Sequence, residues 1–383
     1  MPVPVEFILF GLTLLGVMLL HGQHLKVAFG GLFAIIVYKL LFDDMSLVAH
    51  FEHEAMLLLN LLGLLVGFEL MAEHFQKSHL AKKVPAILPD DWKGPFVLLM
   101  LIFTLSIFLD NIAAAMIGAS LAKVVFQGRV RVGYLAAIVA ASNAGGAGSV
   151  VGDTTTTMMW IAGVNWLDVT HAFLPAAVAL VTFGVPLSFA QQRHQSIVKD
   201  VMTGQGHEVD YPRVLIVLLM LVGVVLGNLL LGLPAVGLWL AVILTALIRR
   251  PHWNAVPGAA INASFLLALV LSASLMPVEK LPAPSELTVL ILGFVSSVFD
   301  NIPLTKLALD QGGYDWGWLA YAVGFGGSMM WFGSSAGVAV AKDNPELRNI
   351  GTFLREAWVI ALGYLVGFGS LFLLGWYPHT LPG

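Results

Sequence analysis

Apolar residues run through this chain in long continuous blocks separated by short polar stretches. The blocks fall at 3–20, 25–42, 55–72, 94–127, 130–163, 169–190, 213–231, 234–249, 258–276, 284–312, 317–341 and 351–377. A helix that crosses a bilayer needs about 20 apolar residues, and most blocks have that length. The period-two alternation of a membrane β-barrel strand is missing from them. The pattern predicts an all-α polytopic membrane protein. The opening MPVPVEFILF lacks a basic stretch before its apolar run, so it reads as a first span rather than a cleaved signal peptide.

Four blocks depart from a simple span. Block 94–127 is too long for one crossing and carries Asp110-Asn111 in its middle; block 284–312 repeats that design around Asp300-Asn301-Ile302-Pro303. A charge inside a lipid-facing helix is costly. Two short helices meeting at a polar tip buried in protein avoid that cost, so both blocks are predicted to be re-entrant hairpins. Blocks 130–163 and 317–341 are interrupted by glycine, from Asn143-Ala144-Gly145-Gly146 through Gly152-Asp153 and from Gly324 through Gly333-Ser334-Ser335. These predict two broken helices, unwound over 143–157 and 324–335, because freed backbone in a membrane must line a cavity or be covered by protein.

The order is therefore three spans, hairpin, broken span and span, stated twice. The two Asp-Asn pairs lie 190 residues apart, half the chain. Each half crosses the membrane five times, an odd number, so the second half enters from the opposite side. This is the pattern of an inverted-repeat transporter with about ten membrane spans. The halves are 1–190 and 213–383, joined by a linker at 191–212. Basic residues support that topology. Sixteen of the nineteen Lys and Arg fall on one side, and only Lys39, Lys280 and Lys306 on the other. The basic-rich side is the cytoplasm, which puts both termini on the exterior of a bacterial-type inner (plasma) membrane. Trp160, Trp166, Trp316, Trp318 and Trp376 near block ends suggest an interfacial aromatic belt.

Composition sharpens the class. The chain has 383 residues, of which 58% are hydrophobic and 11% charged, and its mean hydropathy is +0.87. A soluble domain carries about 25% charged residues, so a cytosolic enzyme, a nucleic-acid binder and a disordered protein are excluded. There is no cysteine, hence no thiolate metal site, and no cofactor is expected. Membrane lipid is the expected surroundings.

The candidate chemistry is oxygen. Asp110, Asn111, Asn143, Asp153, Thr154, Thr155, Asp300, Asn301, Ser334 and Ser335 gather at the two tips and the two breaks. Hard cations take oxygen ligands. A pseudo-two-fold relation brings corresponding elements around one axis, so these groups are expected to converge. Asp110, Asp153 and Asp300 are the candidate sodium-coordinating and titrating acids. Asp and Asn are also preferred helix N-caps; a cap uses one carboxylate oxygen and leaves the other free. Glu69, followed by Glu73 and His74, and Lys306, two turns past the second tip, are candidates for a proton relay. Alternatively, Glu69 marks an interfacial polar end, and Lys306 neutralises a carboxylate or reaches toward the exterior surface. His50-Phe51-Glu52-His53-Glu54 has metal-like spacing in a stretch expected to be solvated. Gly333-Ser334-Ser335-Ala336-Gly337 matches the serine-hydrolase elbow, but that motif needs a strand–turn–helix context and a histidine; the reading is a transporter, not an enzyme.

SNAGGAGSVVGDTTTTMMW from Ser142, SSVFDNIPL from Ser296 and GGSMMWFGSSAGVAV from Gly326 resemble the signature stretches of NhaD-type sodium/proton antiporters of the ion transporter superfamily. The superfamily also holds dicarboxylate and citrate carriers and arsenite permeases. The resemblance runs from about Leu64 to Val340. It implies exchange of sodium or lithium for protons, a homodimer, and hairpins and broken helices that move together like an elevator. In the NhaD pattern hydroxyl residues follow the first Asp-Asn; here Ile112, Ala113, Ala114 and Ala115 follow, which thins the first site. The dicarboxylate carriers have Ser-Asn-Thr at both tips. A carboxylate at each tip repels a dianion, which favours a cation; the alternative is a sodium-coupled carrier of an organic anion or other small solute.

Overall fold

In a computed structural model the described residues are 3–20, 23–43, 46–198 and 208–378. The part of the predicted linker at 199–207, with Lys199, lies outside them. The chain is helical throughout: α1 Val5–Leu19, α2 His24–Phe42, α3 Leu47–Lys77, α4 Val84–Ile87, α5 Lys93–Phe108, α6 Asn111–Val125, α7 Val132–Ala147, α8 Thr154–Ile161, α9 Trp166–Thr170 and α10 Phe173–His194 come first. Then follow α11 Tyr211–Leu231, α12 Pro234–Thr245, α13 Val256–Ser274, α14 Glu286–Ser296, α15 Asn301–Gln311, α16 Trp316–Gly326, α17 Ser335–Asp343 and α18 Ile350–Leu371. Among the described residues, six helical stretches are long and apolar enough to cross a membrane: His24–Phe42, Leu47–Lys77, Trp166–His194, Tyr211–Leu231, Trp253–Ser274 and Ile350–Leu371. The chain is an all-α polytopic membrane protein.

Both predicted tips are helix junctions. α5 meets α6 at Leu109–Asp110, and α14 gives way to α15 just before Asn301. Asp110 and Asp300 are the N-caps of α6 and α15, with nearly the same backbone angles, φ −50° ψ 141° and φ −55° ψ 138°.

The breaks are shorter than the glycines predicted. α7 stays helical through Asn143 and the glycines to Ala147, and only Gly148–Asp153 leave the helix. Thr154–Thr157 already belong to α8. In the second half α16 runs through Gly324 to Gly326 and tightens into a 3-10 turn at Gly327–Met329; α17 begins at Ser335. These glycines serve close packing. A methyl group at Gly145 would strike the carbonyl of Phe103 on α5, and one at Gly326 the carbonyl of Gly293 on α14. Trp316 and Trp318 are almost fully buried, and Trp160 is 8% exposed, so these three are not a lipid-facing belt. Trp318 Nε1 donates to the Gly375 carbonyl at 2.8 Å, because an indole N–H in the interior needs a partner.

The helices pack in two groups. α1–α3 and α11–α13 lie against one another, with α3 touching α11, α12 and α13. α5–α8, α10 and α14–α18 form the other, built on α7 against α5, α10, α16 and α18. Within it, α6 packs on α17 and α15 on α8, so each tip helix meets the helix after the break of the other half. Between the groups α13 lies along α15, and α3 touches α6 and α8. At the C-terminal end of α3, Glu73 pairs with Lys77 and reaches His252 at 3.6 Å, while His74 contacts Arg213 at 3.1 Å. Asp210, just ahead of α11, takes Arg213 at 3.2 Å and Arg249 at 3.3 Å. Against a desolvation cost, these guanidiniums hold its carboxyl below the usual carboxylate range.

Candidate functional site

Each acid of the site begins as a helix cap. Asp110 Oδ2 accepts from the Ile112 amide at 3.0 Å, Asp300 Oδ1 from Ile302 at 3.0 Å, and Asp153 Oδ1 from Thr155 at 3.1 Å. The first turn of a helix has amides without intrahelical acceptors, and a short acidic side chain satisfies one of them. Each cap occupies one carboxylate oxygen. The second Asp300 oxygen, Oδ2, accepts from Ser335 Oγ at 3.2 Å. Ser335 therefore engages a carboxylate, not the histidine that a hydrolase elbow requires.

Hydrogen bonds tie the first tip to α7 and to the second break. Asn111 Nδ2 donates to Asn143 Oδ1 at 3.1 Å; Asn143 Nδ2 in turn donates to Ser328 Oγ at 2.9 Å and to Ser334 Oγ at 3.0 Å. Ser334 caps α17 through the Gly337 amide at 3.2 Å, and its neighbour Ser335 carries the contact on to Asp300. Asn143 is fully buried and spends both ends of its amide on side chains from two other segments. Its joining role was not in the sequence reading, which gave it only as one more oxygen; no local signal marks a residue whose partners lie 185 and 191 positions away.

Asp153 differs from the two tip acids. It is 2% exposed, and its Oδ2 has no hydrogen-bond partner among the described residues. Thr155 is fully buried beside that carboxylate; its Oγ1 is within interaction range of Asp153 and, like Oδ2, has no other partner among the described residues. Buried oxygens without partners are expensive. Two of them together form a place where a desolvated cation or a proton gains what the protein does not supply. Asp110 and Asp300 both lie within electrostatic range of Asp153. No set of three or more acidic or histidine side chains among the described residues closes around one point, so a cation here would take at most two carboxylates, the rest of its shell being neutral oxygens. Thr156 and Thr157 are committed elsewhere: their hydroxyls donate to Asp153 O, each at 2.9 Å, and to Ser149 O and Val150 O. Thr154 and Asn301 are buried at the starts of α8 and α15.

The two relay candidates separate. Glu69 stands exposed on α3, in electrostatic range of Asp110. Lys306 is 4% exposed and points away from its own tip: its Nζ meets Glu54 Oε1 at 2.9 Å and Asp310 Oδ1 at 2.6 Å. It neither reaches the exterior surface nor serves Asp300 directly. His50 contacts Ser274 Oγ at 2.9 Å instead of joining a metal cluster.

Capped, buried acids at helix breaks, joined by neutral oxygens inside an apolar helical body, are the equipment of a membrane ion transporter. No family model matches the chain. Over 298 residues it is 31% identical to sodium/proton antiporter 2 of Arabidopsis thaliana, covering 64% of this chain and 69% of that protein. It is 30% identical over 344 residues to sodium/proton antiporter 1 of the same plant, covering 77% of this chain and 56% of the relative. With the Na(+)/H(+) antiporter NhaD of Halomonas elongata it shares 27% over 327 residues, 70% of this chain and 64% of that one. The chain belongs to this family of sodium/proton antiporters, which includes the NhaD proteins.

Proposed function

We propose that the chain exchanges sodium, or lithium, for protons across a bacterial-type inner (plasma) membrane by alternating access to one oxygen-lined site. The observation that carries this reading is the buried pair Asp153 Oδ2 and Thr155 Oγ1, neither of which has a partner outside the pair among the described residues. Thr154 completes the start of α8 beside them. Asp110 with Asn111 and Asp300 with Asn301 supply further oxygen from the tips, and Ser334 and Ser335 from the second break. One cluster that holds either a cation or a proton needs no separate proton channel. Antiport follows if the loaded and protonated forms cross while the bare anion, the costly species in a low dielectric, crosses poorly.

The architecture behind the reading is an inverted repeat, 1–190 and 213–383, with about ten spans and two re-entrant hairpins. Its support is the matched geometry of the halves: the same cap at Asp110 and Asp300, the same glycine approach at Gly145 and Gly326, and the crossed packing of α6 on α17 and α15 on α8. We take the group built on α7 as the part that moves, elevator-fashion, against the group built on α3, within a homodimer, with both termini outside.

Everted vesicles carrying an imposed pH gradient test the function directly. Na⁺ or Li⁺ should collapse the gradient; citrate or succinate should not. Asp300→Asn should abolish the response, since an amide cannot titrate. Uptake of citrate or succinate with no Na⁺-dependent proton movement would replace this reading with an organic-anion carrier.

A further inference from the structure

The titratable groups with the least obvious use lie outside the cation site, between α3 and α15. Glu54 on α3 is 5% exposed, and Lys306 on α15 is 4% exposed. Their charged atoms are 2.9 Å apart across 252 residues of sequence. Apart from this bridge α3 and α15 barely touch; α13 packs against both. The bridge thus crosses from one packing group to the other, and its α15 end lies six residues beyond Asp300. A buried ion pair is a poor device for stability, because desolvation offsets most of the attraction. It is a good device for choosing between two arrangements, because it is satisfied in only one of them.

Each partner also has a companion that travels with it. Asp310 sits one turn beyond Lys306 on the same helix and already meets its Nζ at 2.6 Å. On α3, His50 lies one turn before Glu54 and interacts with its charge; His53 and Lys39 are the other charged or titratable neighbours in range. When the helices separate, Lys306 keeps Asp310, while Glu54 is left beside a His50 whose Nε2 is bonded to Ser274, so the open form is costly without being forbidden.

From this we infer that Glu54 and Lys306 form a state-selective latch: they hold α15, and with it the Asp300 tip, against α3 in one state of the transport cycle and part in the other. Lys306 is in this sense a positioning residue. The inference rests on the reading of two groups that move relative to each other, and the test separates the two.

Because the chain has no cysteine, spin labels can be placed at Glu52→Cys on α3 and Leu167→Cys in α9, which packs on α16 of the other group; both positions are exposed. Distances between the labels are measured in liposomes, beside Na⁺-driven proton movement, in the latch-intact background and with Lys306→Gln, Glu54→Gln, the double variant and Lys306→Arg. Lys306→Gln takes the ammonium from both Glu54 and Asp310, and Glu54→Gln leaves Lys306 with Asp310 alone; both break the link between the helices, so they should shift the distance distribution toward a second population and change apparent Na⁺ affinity several-fold. The double variant, a neutral pair able to hydrogen-bond, should shift it less than the singles combined. Lys306→Arg should keep the original distribution. If a single variant fails to fold, the double variant against the latch-intact background carries the comparison. Unchanged distances and unchanged Na⁺ affinity in the folded variants would overturn the latch. Shifted distances in a protein that shows no Na⁺/H⁺ exchange would leave the latch standing and remove the proposed function instead.

Discussion

Gly324 of α16 faces Asp153 across the break: a methyl group built on Gly324 would lie 3.3 Å from Asp153 Oδ2 and 3.2 Å from the Ala147 side chain. The missing side chain of one half thus keeps open the space beside the unpartnered carboxylate oxygen of the other. Gly324→Ala should therefore lower apparent Na⁺ affinity, since the methyl competes for the place a cation would take, while the folded yield stays close to wild type. A dose–response of proton movement against Na⁺, read beside the yield of monodisperse protein, decides it. An unaltered Na⁺ midpoint would mean the cation binds elsewhere.

Asn143 carries a different expectation. Its amide joins Asn111, Ser328 and Ser334, so Asn143→Ala leaves the Asn111 amide and the Ser328 hydroxyl without that partner, while Ser334 keeps only the Gly337 amide. Losing such bonds costs about 1–3 kcal/mol per orphaned group. The variant should unfold at lower temperature than wild type and lose exchange as the tips lose register. Asn143→Asp should not restore it: the carboxylate can still accept from Asn111 Nδ2, but it has no N–H to give to Ser328 and Ser334, and it adds a fourth acid to the site. Thermal stability in detergent together with transport would check both statements; full activity with Asn143→Ala would refute the joining role.

Much of this arrangement was legible along the chain, for a physical reason. A carboxylate in the middle of an apolar run, as at Asp110 and Asp300, cannot be left in lipid, so the sequence announces a junction there. Asp153 before four threonines announces a cap in the same way. What local pattern could not give was the use of the glycines. Gly145 and Gly326 suggest unwinding, yet both stay helical because their role is to let a neighbouring carbonyl approach. Nor could it give Lys306 its partner. The sequence offered a nearby carboxylate or the exterior surface, and the lysine found both Asp310 one turn away and Glu54 on a distant helix.

The proposed topology is testable through charge. If its assignment of sixteen of the nineteen basic residues to one side holds, Arg250→Cys and Lys280→Cys should fall on opposite faces of the membrane. Both positions are exposed. In intact cells an impermeant thiol reagent should modify the cysteine at 280 and spare the one at 250; permeabilised cells should show both. Labelling at 250 from outside would reverse or dismantle the proposed orientation.

The last expectation joins pH to the site. If Asp153 Oδ2 and Thr155 Oγ1 accept either a cation or a proton, the two ligands exclude each other by mass action. Each unit of pH changes proton concentration tenfold, so within the competing range the Na⁺ needed for half-maximal rate should rise by up to about tenfold for each unit that pH falls. The direction is fixed: a lower pH fills the site with protons and weakens apparent Na⁺ affinity, and a higher pH restores it. Thr155→Val keeps the shape of the side chain and removes only its hydroxyl. Thr155 Oγ1 interacts with the Asp153 carboxylate and with no other side chain among the described residues, so this change removes that contact alone. It should nevertheless raise the Na⁺ requirement, since a cation has lost a neutral ligand, while the slope of Na⁺ affinity against pH remains. Asp153→Asn removes the titrating oxygen itself; it should abolish exchange, or, where residual transport survives, flatten that slope. Initial rates over a grid of Na⁺ concentrations between about pH 6.5 and 8.5, the range in which a desolvated carboxylate competes, separate the cases. An Asp153→Asn variant with the wild-type slope would place the competition at another acid, with Asp300 the first to be examined in the same grid.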